Sequence, residues 1–532
     1  MKSAFRTASF VAQYDVKAGI PTTVAAIVLV VAVISNAASL LSSMLWVYPD
    51  SIDYIQLAAG LVDRFDLTNE LFLVRTPGYP VFLAVVFWLF GEQSPAVIQV
   101  LQHAMAVAAS LLTASIAWRL TSQRTAAVLT GVLCACSLQV LAYSNMVLTE
   151  APYTLTLVAV LYALVRYDQS ERRRWLILAS LMTGLGYLLR PVGLYLVAVC
   201  LTAALFCVWR TRGRRLSRLA TEVAWAVGPA LALAAPWMVL SAVSHRSLQA
   251  TRCLDYVFYI RPVTFDGLDS SRSAAMRDIH AVLDEAKRQG HLAPDADFRD
   301  RATVIQAYQS VRNMPFAESS KVLGRAGRDI MLEHPWRTSF GTLKYAAWML
   351  LSPDPVYRFL PDGSPGMEGK RDPHAVIYDS GTYAFGEGSW EWVLKDHRHY
   401  LPLEATPRWA TPAWSALVRW FHANVETGSP ILGVGDSLFE ECMYLCALGG
   451  VLSLFQRRRG AWMLVAMVIS LHVLISTFFG GPQTRYAVPI KPILWLYASL
   501  PPAMVVQALF RRRRIENSSG SAAIARAQST PA

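Results

Sequence analysis

Charge is scarce in this chain. Only 16% of its 532 residues are Asp, Glu, Lys or Arg, while 54% are hydrophobic. Several apolar runs are each long enough to cross a bilayer, which takes about 20 residues. A chain so built is a polytopic membrane protein. Cysteine is scarce too, at seven. Cys134, Cys136, Cys200, Cys207, Cys442 and Cys446 fall in apolar runs, and only Cys253 stands in a polar region. That distribution makes no disulfide framework, and the Cys134/Cys136 pair lacks the further ligands a zinc site needs. No repeat of fixed period is present, which leaves out a solenoid.

What charge there is has a pattern. The formal net charge is +12. In a soluble protein such an excess would suggest nucleic acid. Here the basic residues sit in short loops between apolar runs, at Arg172 to Arg174, Arg210 to Arg218, Arg457 to Arg459 and Arg511 to Arg514. Lys and Arg gathered in alternate loops fix orientation, on the cytoplasmic side, and imply no nucleic-acid partner. The first apolar run has a faint signal-peptide character, but it continues through Trp46 and reads as an uncleaved span.

The alternation predicts an all-α protein of about 10 to 12 transmembrane helices. Residues 1–243 form an N-terminal transmembrane module, with a first external loop at 48–77. Gly78 to Phe90 is apolar but too short to cross, and its crossing would put the arginine loops outside. It is expected to lie on or dip into the outer leaflet. Residues 145–150 are expected as an external loop. Residues 244–436 read as an extracytoplasmic region with membrane-surface helices near 338–351 and 413–424, residues 437–510 as C-terminal spans, and 511–532 as a disordered internal tail.

On this map Asp50, Asp53, Arg75, Glu150, Arg190 and Arg485 all fall at outer ends of spans or in outer loops. Each alone is explained as a helix anchor, and Asp50 also suits the N-terminus of a helix begun by Pro49. Asp50 and Tyr54 share one helix face at i and i+4. Three acids and three arginines at one depth suggest a charged site in the outer leaflet. A carboxylate to take a proton and guanidinium groups to hold a phosphate are complementary parts of one reaction.

The ordered set Asp50-Ser-Ile-Asp-Tyr54, Arg75-Thr-Pro-Gly-Tyr-Pro80, Thr149-Glu150, Arg190-Pro191 and Arg485-Tyr-Ala-Val-Pro489 resembles the GT-C glycosyltransferases that use a polyprenyl-phosphate sugar donor. The likeness is to the bacterial protein mannosyltransferase and aminoarabinose transferase branch. It covers most of residues 20 to 510 and is weak over 244–436. The resemblance implies an integral membrane transferase of the bacterial inner membrane with an extracytoplasmic active site, moving a sugar from its lipid carrier to an acceptor hydroxyl with inversion. It assigns the catalytic carboxylate to Asp50, a second acid to Glu150, a conserved tyrosine to Tyr54 and a donor-phosphate contact to Arg75. Asp53, Tyr79, Arg190, Arg485 and Tyr486 complete the expected substrate contacts.

Many relatives carry adjacent acids in the first loop, where this chain has Ser51 beside Asp50. No cofactor is therefore required by the sequence, although a divalent metal stays possible. The expected partners are a polyprenyl-phosphate-linked sugar, the membrane, and a lipid, polysaccharide or protein acceptor. Two rival readings remain: a lipid or saccharide transporter or flippase, and an O-antigen ligase or polymerase. The first would favour charge at mid-membrane depth, and the second an external loop centred on Arg and His.

Overall fold

The computed structural model describes residues 19–42, 49–91, 94–210, 216–245, 257–351, 445–456, 459–480 and 484–510. The expected surface helix at 413–424, the rest of the stretch 352–436 and the tail from Arg511 fall outside these residues. Among the described residues there are helices and turns and no strand.

The first span is α1 (Thr22–Ser42), with no charged residue in it. Two helices of the first loop follow: α2 (Pro49–Arg64) and α3 (Gly78–Phe90). Pro49 opens α2 at a position where its missing N–H costs nothing, and Asp50 stands in the first turn. The core of the bundle is built from α4 (Ser94–Thr121), α5 (Arg124–Ala135), α6 (Leu138–Ser144), α7 (Glu150–Ser170), α8 (Arg173–Leu189), α9 (Tyr195–Arg210) and α10 (Leu216–His245). Helix α7 packs against α4 and α8, α4 against α1 and α5, and α8 against α10.

Six helices among the described residues are long and apolar enough to cross a membrane, and Gly78–Phe90 and Arg124–Ala135 are shorter apolar ones. The gap from the 10 to 12 expected spans has physical causes. Helix α7 carries Arg166 and Asp168 in its last turns, and α8 has 17 residues. Helix α5 stops at Ala135 and resumes as α6 after a two-residue break. Helix α7 is largely buried among its neighbours, so its sequence need not be uniformly apolar.

The two ends of α7 fix the polarity of the bundle. At its C-terminal end, Arg210 reaches Asp168 and Glu171 at 3.2 Å each, Arg173 reaches Glu222 at 3.1 Å, and the Tyr167 hydroxyl donates to Glu222 at 2.9 Å. Both arginine-rich loops therefore meet at that end. Glu150 opens α7 at the other, some 30 Å away for 21 residues at 1.5 Å each.

Residues 257–351 have a core of their own, formed by α11 (Ala274–Arg288), α12 (Arg301–Arg312), α13 (Phe316–Glu333) and the turn Ile260–Phe265. Met276, Ile279, Val282, Leu283 and Ala286 recur at helical spacing on the buried face of α11. Helix α14 (Pro335–Leu351) then packs against α15 (Arg459–Gly480), the turn Thr484–Ile490 follows, and α16 (Lys491–Ala498) returns to α5 and α4.

Candidate active site

The first loop is anchored to the end of α8. Thr76 donates from its hydroxyl to the Leu189 carbonyl at 2.9 Å. Gly78 lies so close to the same backbone that a Cβ there would meet the Leu188 carbonyl oxygen at 2.7 Å. The Arg75-Thr-Pro-Gly turn thus needs its threonine as a tie and its glycine for contact. A second close approach occurs just beyond Arg190, where a Cβ on Gly193 would meet the Gly186 carbonyl carbon at 2.6 Å. These two turns bring Arg75 and Arg190 to the same end of the bundle.

Arg75 joins both carboxylates of α2. Its Nη2 donates to Asp50 at 2.6 Å, and its Nε donates to Asp53 at 2.9 Å. The same guanidinium sits 5.3 Å from the Tyr54 ring centre. Burial raises the Asp53 pKa above the ordinary carboxylate value, with the positive charge and hydrogen bond of Arg75 opposing the rise. Burial also pushes the Tyr54 hydroxyl up to about 12, so it stays protonated and can donate at neutral pH.

A second pair stands beside the first. Arg190 Nη1 donates to Glu150 Oε1 at 3.0 Å, with the Glu150 side chain 2% exposed. Arg190 also faces the rings of Tyr486 at 5.1 Å and Tyr153 at 5.8 Å. Tyr54 stands within the electrostatic reach of Asp50, Arg75, Glu150 and Arg190 together, which makes it the junction of the two pairs. Its ring meets Tyr79 edge-on at 5.1 Å. Of the expected residues, only Arg485 is left without a described side chain, although its backbone belongs to the turn that carries Tyr486.

Sequence reasoning missed the scaffold behind these groups. Tyr79 donates to Gln102 at 2.9 Å, and Gln102 donates in turn to the carbonyls of Ser144 at 3.0 Å and Met146 at 2.8 Å. Gln99 donates to Asn145 at 2.7 Å, and His103 contacts both Asn36 and Asn145 at 2.8 Å. Residues 145–150, expected as an external loop, are buried throughout among these partners. Gln99, Gln102 and His103, clustered within five residues of a membrane-spanning α4, were the available signal.

Each carboxylate of the site meets a guanidinium. Asp50 and Asp53 share one guanidinium and Glu150 holds another. Among the described residues no three of His, Cys, Asp and Glu come together as a ligand set.

Residues 74–240 match the family model described as dolichyl-phosphate-mannose-protein mannosyltransferase. The match covers less than half of the chain, from the first-loop turn into α10. The matched segment contains Arg75, Tyr79, Glu150 and Arg190 of the assembled site. No curated protein matches the chain.

Among solved structures, the archaeal oligosaccharyltransferase AglB from Archaeoglobus fulgidus, in complex with an inhibitory peptide and a dolichol-phosphate, is 15% identical. The alignment covers 92% of this chain and 52% of that one, with a TM-score of 0.40. This chain therefore spans about half the length of that enzyme. ArnT from Cupriavidus metallidurans, bound to undecaprenyl phosphate, is 14% identical, with coverage of 90% and 78% and a TM-score of 0.33.

Proposed function

We propose that this protein is a GT-C glycosyltransferase that moves a sugar from a polyprenyl-phosphate carrier to an acceptor hydroxyl, with Asp50 as general base. The observation that carries this reading is the Asp50–Arg75–Asp53 cluster standing next to Glu150–Arg190, at the end of the bundle opposite the arginine-rich loops. The positive-inside pattern supports reading that end as the extracytoplasmic face of a bacterial inner membrane. The family description supports a phosphoprenol-linked donor.

Polyprenyl phosphate is a competent leaving group once its charge is held, so it needs guanidinium contacts rather than an acid. Arg75 meets the two carboxylates through Nη2 and Nε. A donor phosphate drawn to Arg75 competes with those carboxylates for it. As Arg75 turns to the phosphate, Asp50 loses its counter-charge and becomes the stronger base.

The acceptor oxygen attacks the anomeric carbon while the bond from that carbon to the phosphate oxygen breaks. The acceptor proton passes to Asp50 and the electron pair leaves with the polyprenyl phosphate. In-line displacement of this kind inverts the anomeric centre. Glu150, fixed by Arg190, orients the acceptor. Protein in lipid nanodiscs, given undecaprenyl-phosphate sugars and a cell-envelope acceptor extract, should release undecaprenyl phosphate. Failure to bind undecaprenyl phosphate at all would sink the donor reading and return the transporter alternative.

A further inference from the structure

Four buried polar atoms around Arg190 have no hydrogen bond among the described residues: Glu150 Oε2, the Tyr153 hydroxyl, the Tyr195 hydroxyl and His472 Nδ1. They come from α7, α9 and α15, so no single helix explains them. The ring of His472 is 6.0 Å from that of Tyr153 and 5.7 Å from that of Tyr195, and Arg190 faces Tyr153. The two tyrosine hydroxyls adjoin each other without reaching ordinary hydrogen-bond geometry. Buried polar groups are nearly always satisfied by some partner, so four together call for a ligand.

The geometry fixes what kind. His472 Nε2 lies 2.7 Å from the Tyr486 carbonyl, which can only accept, so Nε2 carries the proton and Nδ1 is a bare acceptor. Glu150 Oε1 is taken by Arg190, which leaves Oε2 as a second acceptor. The hydroxyls of Tyr153 and Tyr195 serve either way. The charges of Glu150 and Arg190 offset each other, so the cluster does not favour an anion. Its needs are those of a neutral ligand bearing several hydroxyls and an apolar face to lay on aromatic rings.

We infer that Tyr153, Tyr195, His472 and Glu150 form a subsite for a pyranose ring, beside the arginine–carboxylate cluster that would take the phosphate. The inference rests on the reading of the chain as a sugar transferase and adds the residues that would hold the sugar. The pyranose can come from two sources, the lipid donor or a glycan acceptor.

The test uses the full chain in nanodiscs, with binding read by native mass spectrometry. The probes are bare undecaprenyl phosphate, undecaprenyl phosphate bearing mannose, glucose or galactose, and free methyl pyranosides added to protein already loaded with the bare lipid. Tyr153→Phe and Tyr195→Phe remove one hydroxyl each and keep the ring.

For a donor subsite, wild type holds at least one sugar-lipid more tightly than the bare lipid. Each variant then lowers that preference about fivefold and leaves bare-lipid affinity alone. For an acceptor subsite, the preference is absent but a methyl pyranoside binds the loaded protein, and the variants weaken it equally. No pyranose binding in either arm overturns the subsite. Pyranose binding untouched by both variants also overturns it, because the four atoms then face only ordered water. Loss of bare-lipid binding in wild type would instead strike the transferase reading itself.

Discussion

Arg75 holds Asp50 at 2.6 Å and Asp53 at 2.9 Å, although 25 and 22 residues separate it from them along the chain. One guanidinium shared by two carboxylates leaves a net negative cluster, and a donor phosphate must displace part of it. The two roles expected of Arg75 and Asp50 are therefore coupled. Removing the arginine should damage both phosphate binding and the placement of the base. Arg75→Ala is expected to raise KM for the lipid donor and to lower kcat. Arg75→Lys should recover part of KM, because a point charge still attracts phosphate but cannot span two carboxylates. Unchanged kinetics in Arg75→Ala would move the phosphate contact elsewhere, with Arg190 next in line.

Asp53 gives a prediction about pH. Its pKa is raised by burial against the pull of Arg75, so it takes up a proton on acidification before an ordinary carboxylate does. Protonated Asp53 no longer competes for Arg75, which is then left to Asp50 and lowers its basicity. The rate should fall as pH drops, beginning above the normal carboxylate range. In Asp53→Asn the Arg75 charge already belongs to Asp50, so the acid limb should shift to lower pH. A limb that stays in place in the variant would assign it to another group.

The membrane orientation is checked by labelling. Phe65 is 75% exposed just beyond the C-terminal end of α2, in the first loop, and Arg172 is exposed at the basic end of α7. A membrane-impermeant thiol reagent applied from outside intact spheroplasts should modify Phe65→Cys and spare Arg172→Cys. Labelling of position 172 instead would invert the topology and put Glu150 on the cytoplasmic side.

How far the sequence reached is clearest from α2 and α7. The residues of the first loop were legible because Pro49, Asp50 and the Arg75-Thr-Pro-Gly turn are local signals, each with a backbone reason. That Arg75 would pair with Asp50 and Asp53 was not legible. The contact depends on Thr76 and Gly78 docking on Leu188 and Leu189, over a hundred residues away. The burial of residues 145–150 was not legible for the same reason, since Gln99 and Gln102 of α4 supply its partners. His472, Tyr153 and Tyr195 sit in or beside apolar runs where aromatic residues normally pack, so nothing local marked them.

Gln102 carries a prediction of its own. It ties Tyr79, next to Tyr54, to the carbonyls just before Glu150. Gln102→Leu keeps much of the volume but strips three buried groups of their partner, at about 1–3 kcal/mol for each group left unsatisfied. The variant should melt at lower temperature and turn over more slowly. Gln102→Glu, which still accepts from Tyr79, should keep more of the activity than Gln102→Leu. Equal stability of Gln102→Leu and wild type would show that the network does not hold the site.

The decisive variant is Asp50→Asn. The amide keeps the size of the carboxylate and a hydrogen-bond acceptor for Arg75, so the loop should stay docked and the donor bound. What it loses is the ability to take the acceptor proton, which typically costs about 100- to 10,000-fold in rate. Turnover should fall by that order while undecaprenyl-phosphate affinity holds. Glu150→Gln should be milder if Glu150 orients rather than deprotonates, since an amide still accepts from Arg190. The pair also separates the two acids. If Glu150→Gln abolishes turnover and Asp50→Asn spares it, the base is the buried acid of α7, and Asp50 serves only to hold Arg75. If neither matters, no carboxylate of this cluster takes the proton, and the transporter reading regains its claim on the same residues.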